Sequence, residues 1–171
     1  MMLFKTNFNY VILILRFFSL LFFGALSAGM IYVIILNLKS DDYLATIFFG
    51  MLFTSLMIYF TYLFIIAIIK QSYNFTFEEG SIYKISVLSR KKELLKITEI
   101  KGFSTSEYPL KIWNFKSIIL YFQNGKKIEL PQFLYFNFKE IENKLIENSI
   151  RKFGHEKHKW KSITSRHYEF E

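Results

Sequence analysis

The chain contains no cysteine and only two prolines and seven glycines among its 171 residues. Without cysteine, a disulfide framework, a thiolate metal site and a cysteine nucleophile are all excluded. Aspartate is also scarce, because none follows Asp42. A pair of catalytic carboxylates beyond that point would have to be two glutamates, and no glutamate is set apart by its sequence context.

The signature motifs of several large enzyme classes are missing as well. The sequence has no GxxxxGK[ST], no GxGxxG and no GxSxG. His155, His158 and His167 lie in a polar, basic segment without cysteine or aspartate nearby, a pattern more typical of solvated histidines than of a metal site. We therefore expect a protein that is not an enzyme and that uses no cofactor or metal.

Charged residues are absent from two long apolar runs. The first covers 17–38, which is 22 residues, and the second covers 43–69, which is 27 residues. At about 1.5 Å per residue, each run can cross a hydrocarbon core of about 30 Å. The first run is too long for the core of a cleaved signal peptide. We predict a transmembrane helical hairpin over 17–70, preceded by an N-terminal segment over 1–16.

Basic residues near the helix ends predict the orientation of this hairpin. Lys5 and Arg16 precede the first run, whereas the short link between the runs holds only Lys39. More basic residues follow the second run: Lys70, Lys84, Arg90, Lys91 and Lys92. Because such residues stay on the cytoplasmic side, both termini are predicted to be cytoplasmic. The abundance of Lys, Ile, Asn and Phe is typical of AT-rich bacterial genomes, so a bacterial inner membrane is the expected location.

Small residues spaced four apart line both predicted helices. They are Gly24, Ala25, Ala28 and Gly29 on the first helix, and Thr46, Gly50 and Thr54 on the second. Small side chains at this spacing let helix backbones approach closely. Two interpretations stay open: the residues pack the hairpin against itself, or they contact another membrane protein or a second copy of the chain.

Short runs that alternate apolar and polar residues follow the hairpin and predict β-strands. Strands are expected over 73–78, 82–88, 94–97, 100–104, 115–122 and 127–130. Asn124-Gly125 lies between the last two runs, and this dipeptide is a strong signal for a β-hairpin turn. The region after the membrane is therefore rich in antiparallel sheet.

A change of period at Asn137 predicts one amphipathic helix. Asn137 with Glu140 three residues later matches a capping box. Phe138, Ile141 and Leu145 would form the buried face, and the helix is expected to end near Phe153-Gly154. We assign 72–153 to a single domain and 154–171 to a basic, flexible tail.

Several short segments carry a resemblance to a known family. They are Phe75-Thr76-Phe77-Glu78-Glu79-Gly80 leading into Ile82, the step Ile97-Thr98-Glu99-Ile100, the strand Ile118-Ile119-Leu120 before Asn124-Gly125-Lys126-Lys127-Ile128, and the helix from Asn137. With these features, 73–150 resembles the bacterial membrane-anchored PH-like (pleckstrin-homology-like) domains that follow a transmembrane pair. The resemblance implies an α+β fold, an antiparallel meander or barrel capped by one helix.

Members of the family usually lack an assigned activity, so the same resemblance implies binding of lipids, of peptides or of no detectable ligand. Eukaryotic lipid-binding members carry a basic cluster in their first hairpin loop. In this chain the corresponding turn is Glu78-Glu79-Gly80-Ser81, which is acidic, and the cluster Arg90-Lys91-Lys92 falls one turn later. A phosphoinositide site of the eukaryotic type is therefore not expected.

Positive charge is concentrated after the hairpin. The net charge is +8, and from Lys70 onward there are 19 Lys or Arg against 12 Asp or Glu. A basic residue beside an anionic membrane surface contributes about 1 kcal/mol of attraction. The candidate headgroup contacts are Arg90, Lys91, Lys92, Lys157, Lys159 and Lys161. Nucleic acid is a weaker candidate, because a membrane-tethered domain meets lipid at a far higher local concentration.

Two functions follow as hypotheses. The favoured one is a non-enzymatic interaction module that binds a partner protein at the inner face of the membrane, through an exposed sheet edge or the Gly24/Ala28 seam. The alternative is a peripheral sensor of anionic headgroups that uses Arg90, Lys91, Lys92 and the basic tail. The sequence favours the first, because its positive charge is spread over the domain.

Overall fold

The structure is a computed structural model, and it describes residues 3–38, 43–78, 80–108, 114–162 and 165–170. The chain forms two compact units. One is a helical unit over 11–71. The other is a β-sheet unit that combines 1–10 with 72–171.

The helical unit consists of α1 (Tyr10–Asn37) and α2 (Tyr43–Gln71). Phe23 packs its ring against Phe60 and Phe64, with centroid distances of 5.2 and 5.8 Å. Ile34, later in α1, lies close to Gly50, which comes earlier in α2 than Phe60 and Phe64, so the two helices run antiparallel.

The first helix begins before Arg16 rather than after it, which differs from the predicted start at residue 17. The Arg16 guanidinium donates hydrogen bonds to the Ala67 carbonyl oxygen at 3.1 Å and to Gln71 Oε1 at 2.6 Å. The Arg16 cation thus bonds polar groups at the C-terminal end of α2, and this pairing allows α1 to contain an arginine.

Both helices are long and apolar enough to cross a membrane. In their most apolar stretches, 11% and 17% of the residues are buried within the chain. The core helix of a soluble protein would be mostly buried. These helices instead present a broad apolar surface outward.

The described part of the β-sheet unit contains ten strands and one α-helix. The elements are β1 (Phe4–Lys5), β2 (Tyr73–Glu78), β3 (Ser81–Ser86), β4 (Lys92–Lys96), β5 (Ile100–Tyr108), β6 (Phe115–Phe122), β7 (Lys127–Pro131), α3 (Phe138–Glu147), β8 (Lys152–Lys157), β9 (Lys159–Ser162) and β10 (Ser165–His167). One sheet has the order β1-β2-β3-β4 and a second has the order β7-β6-β5-β8, while β9 and β10 form a separate ribbon. All pairings are antiparallel except that between β5 and β8.

The predicted hairpin turn between β6 and β7 is confirmed. Gly125 has a φ of 79°, and its N–H donates to the Phe122 carbonyl oxygen at 3.0 Å. Asn124 Oδ1 accepts a hydrogen bond from the Lys126 N–H at 3.0 Å. Gly125 alone supplies the left-handed backbone conformation of this turn, and the Asn124 side chain adds a hydrogen bond to it.

Side chains from both sheets and from α3 form the core. Those under 2% exposed include Phe75, Ile82, Phe103, Ile118, Leu120, Leu130, Leu134, Ile141 and Leu145. The predicted buried face of α3 is confirmed, because Phe138, Ile141 and Leu145 are all buried. The predicted end of α3 near Phe153-Gly154 is wrong. The helix stops at Glu147, because Ser149 adopts a φ of 58° and the Ile150 N–H turns back to the Leu145 carbonyl oxygen.

The side chain of Asn137 does not cap α3 as predicted. Its Oδ1 accepts a hydrogen bond from the Asn7 N–H at 2.7 Å, and its Nδ2 donates to the Lys5 carbonyl oxygen at 3.1 Å. β1 also pairs with β2, with Phe4 opposite Phe77. The first residues of the N-terminal segment 1–16 are therefore part of the β-sheet unit.

The segment 154–171, expected to be a flexible tail, contains strands in its described residues. β8 runs parallel to β5, where Gly102 allows a close approach. A Cβ atom at Gly102 would lie 2.6 Å from the Arg151 carbonyl oxygen, so a side chain there would displace the chain leading into β8.

Candidate functional site

The basic turn, defined as residues 86–92, joins β3 to β4 and carries the first predicted group of cations. Arg90, Lys91 and Lys92 are all exposed. Ser86 organises the turn: its carbonyl oxygen accepts the Arg90 N–H at 3.0 Å, and its Oγ accepts the Ser89 N–H at 3.2 Å. Arg90 has a φ of 55°, which turns the chain sharply at the cationic residues.

Strand pairing fixes the end of the first sheet at which the basic turn lies. Ser86, at the end of β3, is opposite Tyr73, at the start of β2. The Val87 N–H donates to the Ser72 carbonyl oxygen at 3.0 Å. Ser72 directly follows Gln71, the last residue of α2. The basic turn therefore lies where the chain leaves the second apolar helix.

The acidic hairpin turn lies at the opposite end of the same strands. Glu78 pairs with Ser81 at the end of β2 that is farthest from Ser72. The cations lie one turn later, at the other end of the strand pair.

Glu93, next to the basic turn, is neutralised by lysines that do not belong to it. Lys84 Nζ lies 3.3 Å from Glu93 Oε2, and Lys126 forms a short hydrogen bond with the other carboxylate oxygen. The hydrogen bond from Lys126 is the main reason why the pKa of Glu93 lies below its usual value. The positive charge of the basic turn is thus not offset by this carboxylate.

The second predicted cationic group reaches the edge of the other sheet. Lys157, at the end of β8, is opposite Glu107 on β5, and Glu107 is opposite Lys116 on β6. Lys159 is exposed and its Nζ lies 3.8 Å from Glu169 Oε1. The side chain of Lys161 lies outside the described residues.

Residues 132–137, which we call the junction loop, are hydrogen-bonded to the chain just before the first apolar helix and just after the second. The Asn9 N–H donates to the Leu134 carbonyl oxygen at 2.8 Å, and Asn9 directly precedes α1. The Tyr135 hydroxyl donates to the Tyr73 carbonyl oxygen at 2.9 Å, and Tyr73 begins β2 just after α2. Asn9, just before α1, and Tyr73, just after α2, are therefore both bonded to this loop.

The junction loop is also bonded to β6, next to the second cationic group, and we use the name basic rim for the exposed cations of both groups together with Lys116. Gln132 Oε1 accepts a hydrogen bond from the N–H of Lys116, which is exposed. The basic rim comprises Arg90, Lys91, Lys92, Lys116, Lys157 and Lys159, with Glu107 among them. Sequence analysis identified all of these cations except Lys116, which alternation marks only as the polar face of a strand.

A buried ion cluster holds the C-terminal strands. Arg166 is 5% exposed and donates to Glu156 Oε1 at 2.9 Å, to Ser106 Oγ at 2.8 Å and to Glu129 Oε1 at 3.1 Å. Glu156 is fully buried. Its second oxygen accepts the Tyr121 hydroxyl at 2.6 Å. Both carboxylate oxygens of Glu156 are thus bonded within the domain, and the cluster serves to pack this segment.

Titratable groups around the cluster are shifted by burial. Burial, and then the hydrogen bond to Glu156, raises the pKa of Tyr121 well above its usual value. Burial also raises the pKa of Tyr108. His158 packs its ring against Tyr108 at 4.9 Å, and burial lowers the pKa of His158. These shifts favour neutral side chains around the one buried cation, Arg166, of the described domain.

The histidines do not converge on a common point. His155 lies on β8, His158 follows that strand, and His167 lies on β10. In the described parts of the chain, no three His, Asp or Glu side chains are grouped in a way that could hold a metal ion.

No protein-family model, curated protein or solved structure matches the chain. The function of the basic rim is therefore argued from its own geometry.

The small residues of the helical unit fall into two sets. Gly50 and Thr54 are buried, and a Cβ at Gly50 would lie 2.7 Å from Ile34, so these residues line the contact between α1 and α2. Thr46 is half-buried. On α1, Ala25, Ala28 and Gly29 are exposed, and a Cβ at Gly24 or Gly29 would meet nothing within 4 Å. Ala25, Ala28 and Gly29 are thus not used to pack the hairpin, whereas Gly24 is half-buried.

Proposed function

We propose that the chain is a non-enzymatic, membrane-anchored module that binds anionic lipid headgroups. In this proposal α1 and α2 cross the membrane as a hairpin with both termini in the cytoplasm. The PH-like domain then meets the inner leaflet with its basic rim. The ligand differs from the one that the sequence alone favours, a partner protein.

One observation carries the proposal: the basic turn and the junction loop are hydrogen-bonded to the residues that directly follow α2 and directly precede α1. The basic turn is bonded to Ser72, which follows α2, and the junction loop is bonded to Asn9, which precedes α1. A hairpin that crosses the bilayer has these two residues at the headgroup level. The basic turn, bonded to Ser72, is then the part of the rim next to the headgroups along the chain, and attraction between exposed charges acts over about one Debye length, 8–10 Å.

The expected attraction is large enough to hold the domain on the surface. At about 1 kcal/mol per cation, Arg90, Lys91 and Lys92 together contribute about 3 kcal/mol. That energy changes the ratio between domains in contact with the membrane surface and domains detached from it by a factor on the order of 100. Glu107 lies opposite Lys116 and Lys157, so its negative charge reduces the attraction of these two lysines to anionic headgroups.

Single-cysteine labelling tests the proposal, because the chain has no cysteine of its own. A fluorophore at a Leu88→Cys substitution, on the exposed part of the basic turn, reports on contact with lipid in nanodiscs. We expect phosphatidylglycerol to shield the label from an aqueous quencher, compared with nanodiscs of phosphatidylcholine alone. Arg90, Lys91 and Lys92 changed together to Ala, or salt near 1 M, should abolish the shielding.

The matched control is a Ser81→Cys label in the acidic hairpin turn, at the far end of the same strands. Its exposure to the quencher should not depend on the lipid charge. Equal exposure of the Leu88→Cys label in both lipids at low salt would contradict the proposal.

A second candidate function, association with another membrane helix, is favoured by the exposed small residues of α1. Ala25, Ala28 and Gly29 leave room for close backbone approach, and the hairpin does not use them. The partner would be another membrane protein or a second copy of the chain.

Changing Ala25 and Gly29 together to Leu is expected to release such a partner while the hairpin stays folded. Cross-linking in native membranes, followed by the size of the cross-linked species, measures the association. Ala45→Leu, a small-to-large change on the exposed surface of α2, is the matched control and should leave the cross-link intact. A cross-link that survives the change on α1 rules out this surface as the contact.

A further inference from the structure

β4 lies at the edge of the first sheet and, among the described strands, pairs with β3 alone. The Ser86 N–H donates to the Lys91 carbonyl oxygen at 3.0 Å, so these two residues form a hydrogen-bonded pair in the register of β3 with β4. Bonded and non-bonded pairs alternate along an antiparallel ladder. The N–H and C=O groups of Lys92 and Leu94 therefore point away from β3, toward the open edge.

The hydrogen bonds on the other side of β3 support this assignment. The Val87 N–H donates to the Ser72 carbonyl oxygen at 3.0 Å, so the residues of β3 that bond toward β2 alternate with those that bond toward β4. No hydrogen bond in the described part of the chain uses the backbone groups of Lys92 or Leu94. The edge of β4 thus offers the N–H and C=O groups of both residues to an added strand.

The side chains on one face of β4 indicate what kind of strand fits this edge. Lys92, Leu94 and Lys96 share a face because they alternate along the strand. Leu94 is 47% exposed, and no other large apolar side chain on a described strand is exposed. Both lysines are exposed, and the ion pair of Lys96 with Glu99, at 3.9 Å, is weak enough for another carboxylate to replace Glu99. This face is therefore apolar at its centre and cationic at both ends.

The charges at this edge favour an acidic strand. Glu93, the one carboxylate of β4, lies on the opposite face and is already bonded by two lysines from outside the strand. Lysines on an edge strand discourage pairing with other chains. A second copy with Leu94 opposite Leu94 would place Lys92 opposite Lys96, and like charges in this position are unfavourable. A strand with carboxylates opposite the two lysines turns the same interactions into favourable ones.

We propose that β4 binds an extended acidic segment of a partner protein as an additional antiparallel strand. An apolar residue of the segment lies opposite Leu94 and exchanges two backbone hydrogen bonds with it. Acidic residues two positions before and after that residue lie opposite Lys96 and Lys92. This binding goes beyond the proposed lipid contact, with which it shares Lys92, and it needs no membrane.

Photo-cross-linking of a defined peptide tests the proposal on the full-length protein in a neutral detergent. The probe is the peptide SETVTES, with fluorescein at its N-terminus and a diazirine amino acid in place of its central valine. We expect labelling of the protein that saturates with peptide concentration, with cross-links that map to β3 and β4. The peptide SKTVTKS, with lysine in place of both glutamates, should bind about tenfold more weakly, because two favourable pairs become repulsive.

Methylation of single peptide nitrogens separates strand addition from simple charge attraction. In the proposed register the central residue directs its N–H toward Leu94, whereas the N–H groups of the neighbouring threonines point away. N-methylation of the central residue should weaken binding about tenfold, because it removes a hydrogen bond and places a methyl group against the edge. N-methylation of a neighbouring threonine is the matched control and should have a much smaller effect.

Two charge reversals in the protein complete the test. Lys96→Glu should weaken binding of SETVTES about fivefold, whereas Lys139→Glu, the same change at an exposed lysine of α3, should leave it unchanged. Labelling that does not saturate, that maps outside β3 and β4, or that is equal for the two methylated peptides overturns the proposal. Shielding of the Leu88→Cys label by phosphatidylglycerol is measured without peptide and would still stand, so failure of this inference is distinguishable from failure of the proposed function.

Discussion

Replacing Arg166 by methionine is expected to lower the free energy of unfolding of the β-sheet unit by about 3–5 kcal/mol. The guanidinium is 5% exposed and bonds Glu156, Glu129 and Ser106. Methionine fills much of the same volume but leaves the fully buried Glu156 carboxylate without its cation. Pulse proteolysis of the full-length protein in detergent, over a series of urea concentrations, measures this loss.

An exposed ion pair of the same unit supplies the control. Lys152 Nζ lies 2.8 Å from Glu142 Oε1, and the two side chains are 43% and 29% exposed. Lys152→Met removes a cation from a good ion pair in solvent, so the loss should stay below about 1 kcal/mol. Equal losses for the two variants would show that the Arg166 pair is not held in a buried environment.

The same ion cluster explains why sequence analysis expected a flexible tail. Pattern reading finds buried segments through their apolar residues, whereas β8 and β10 contribute Glu156 and Arg166 to the interior. Each of these charges looks solvated when read alone, and only their mutual neutralisation allows both to be buried. The helices and the hairpin at Asn124-Gly125 were predictable because their signals are local: runs without charge, and a dipeptide that tolerates positive φ.

The cations of the candidate site were predictable by residue type but not by arrangement. The sequence identifies Arg90 and Lys157 as members of separate basic groups. Strand pairing places the turn that carries Arg90 beside the start of β2, and it places Lys157 opposite Glu107, and neither neighbour can be predicted from the sequence. The sequence does not predict the contacts of the junction loop, because its hydrogen bonds to the N-terminal segment join residues about 125 positions apart in the chain.

Phe8→Ala is expected to destabilise the β-sheet unit by about 3–5 kcal/mol, although most of that unit lies more than 60 residues later in the chain. Phe8 is 1% exposed and packs edge-to-face on Tyr135 of the junction loop, at a centroid distance of 6.1 Å. The alternation of Phe4, Thr6 and Phe8 is a strand signal, but it is too short to be recognised beside a membrane helix. Urea unfolding followed by pulse proteolysis measures the change.

Leu3→Ala is the matched control for Phe8→Ala. Leu3 is 65% exposed, so its loss should change the stability by no more than about 0.5 kcal/mol. A similarly small effect of Phe8→Ala would contradict the inclusion of the N-terminal segment in the domain. A large effect would show that the residues directly preceding α1 take part in folding of the β-sheet unit, because Asn9 follows Phe8 and its N–H donates to the Leu134 carbonyl oxygen.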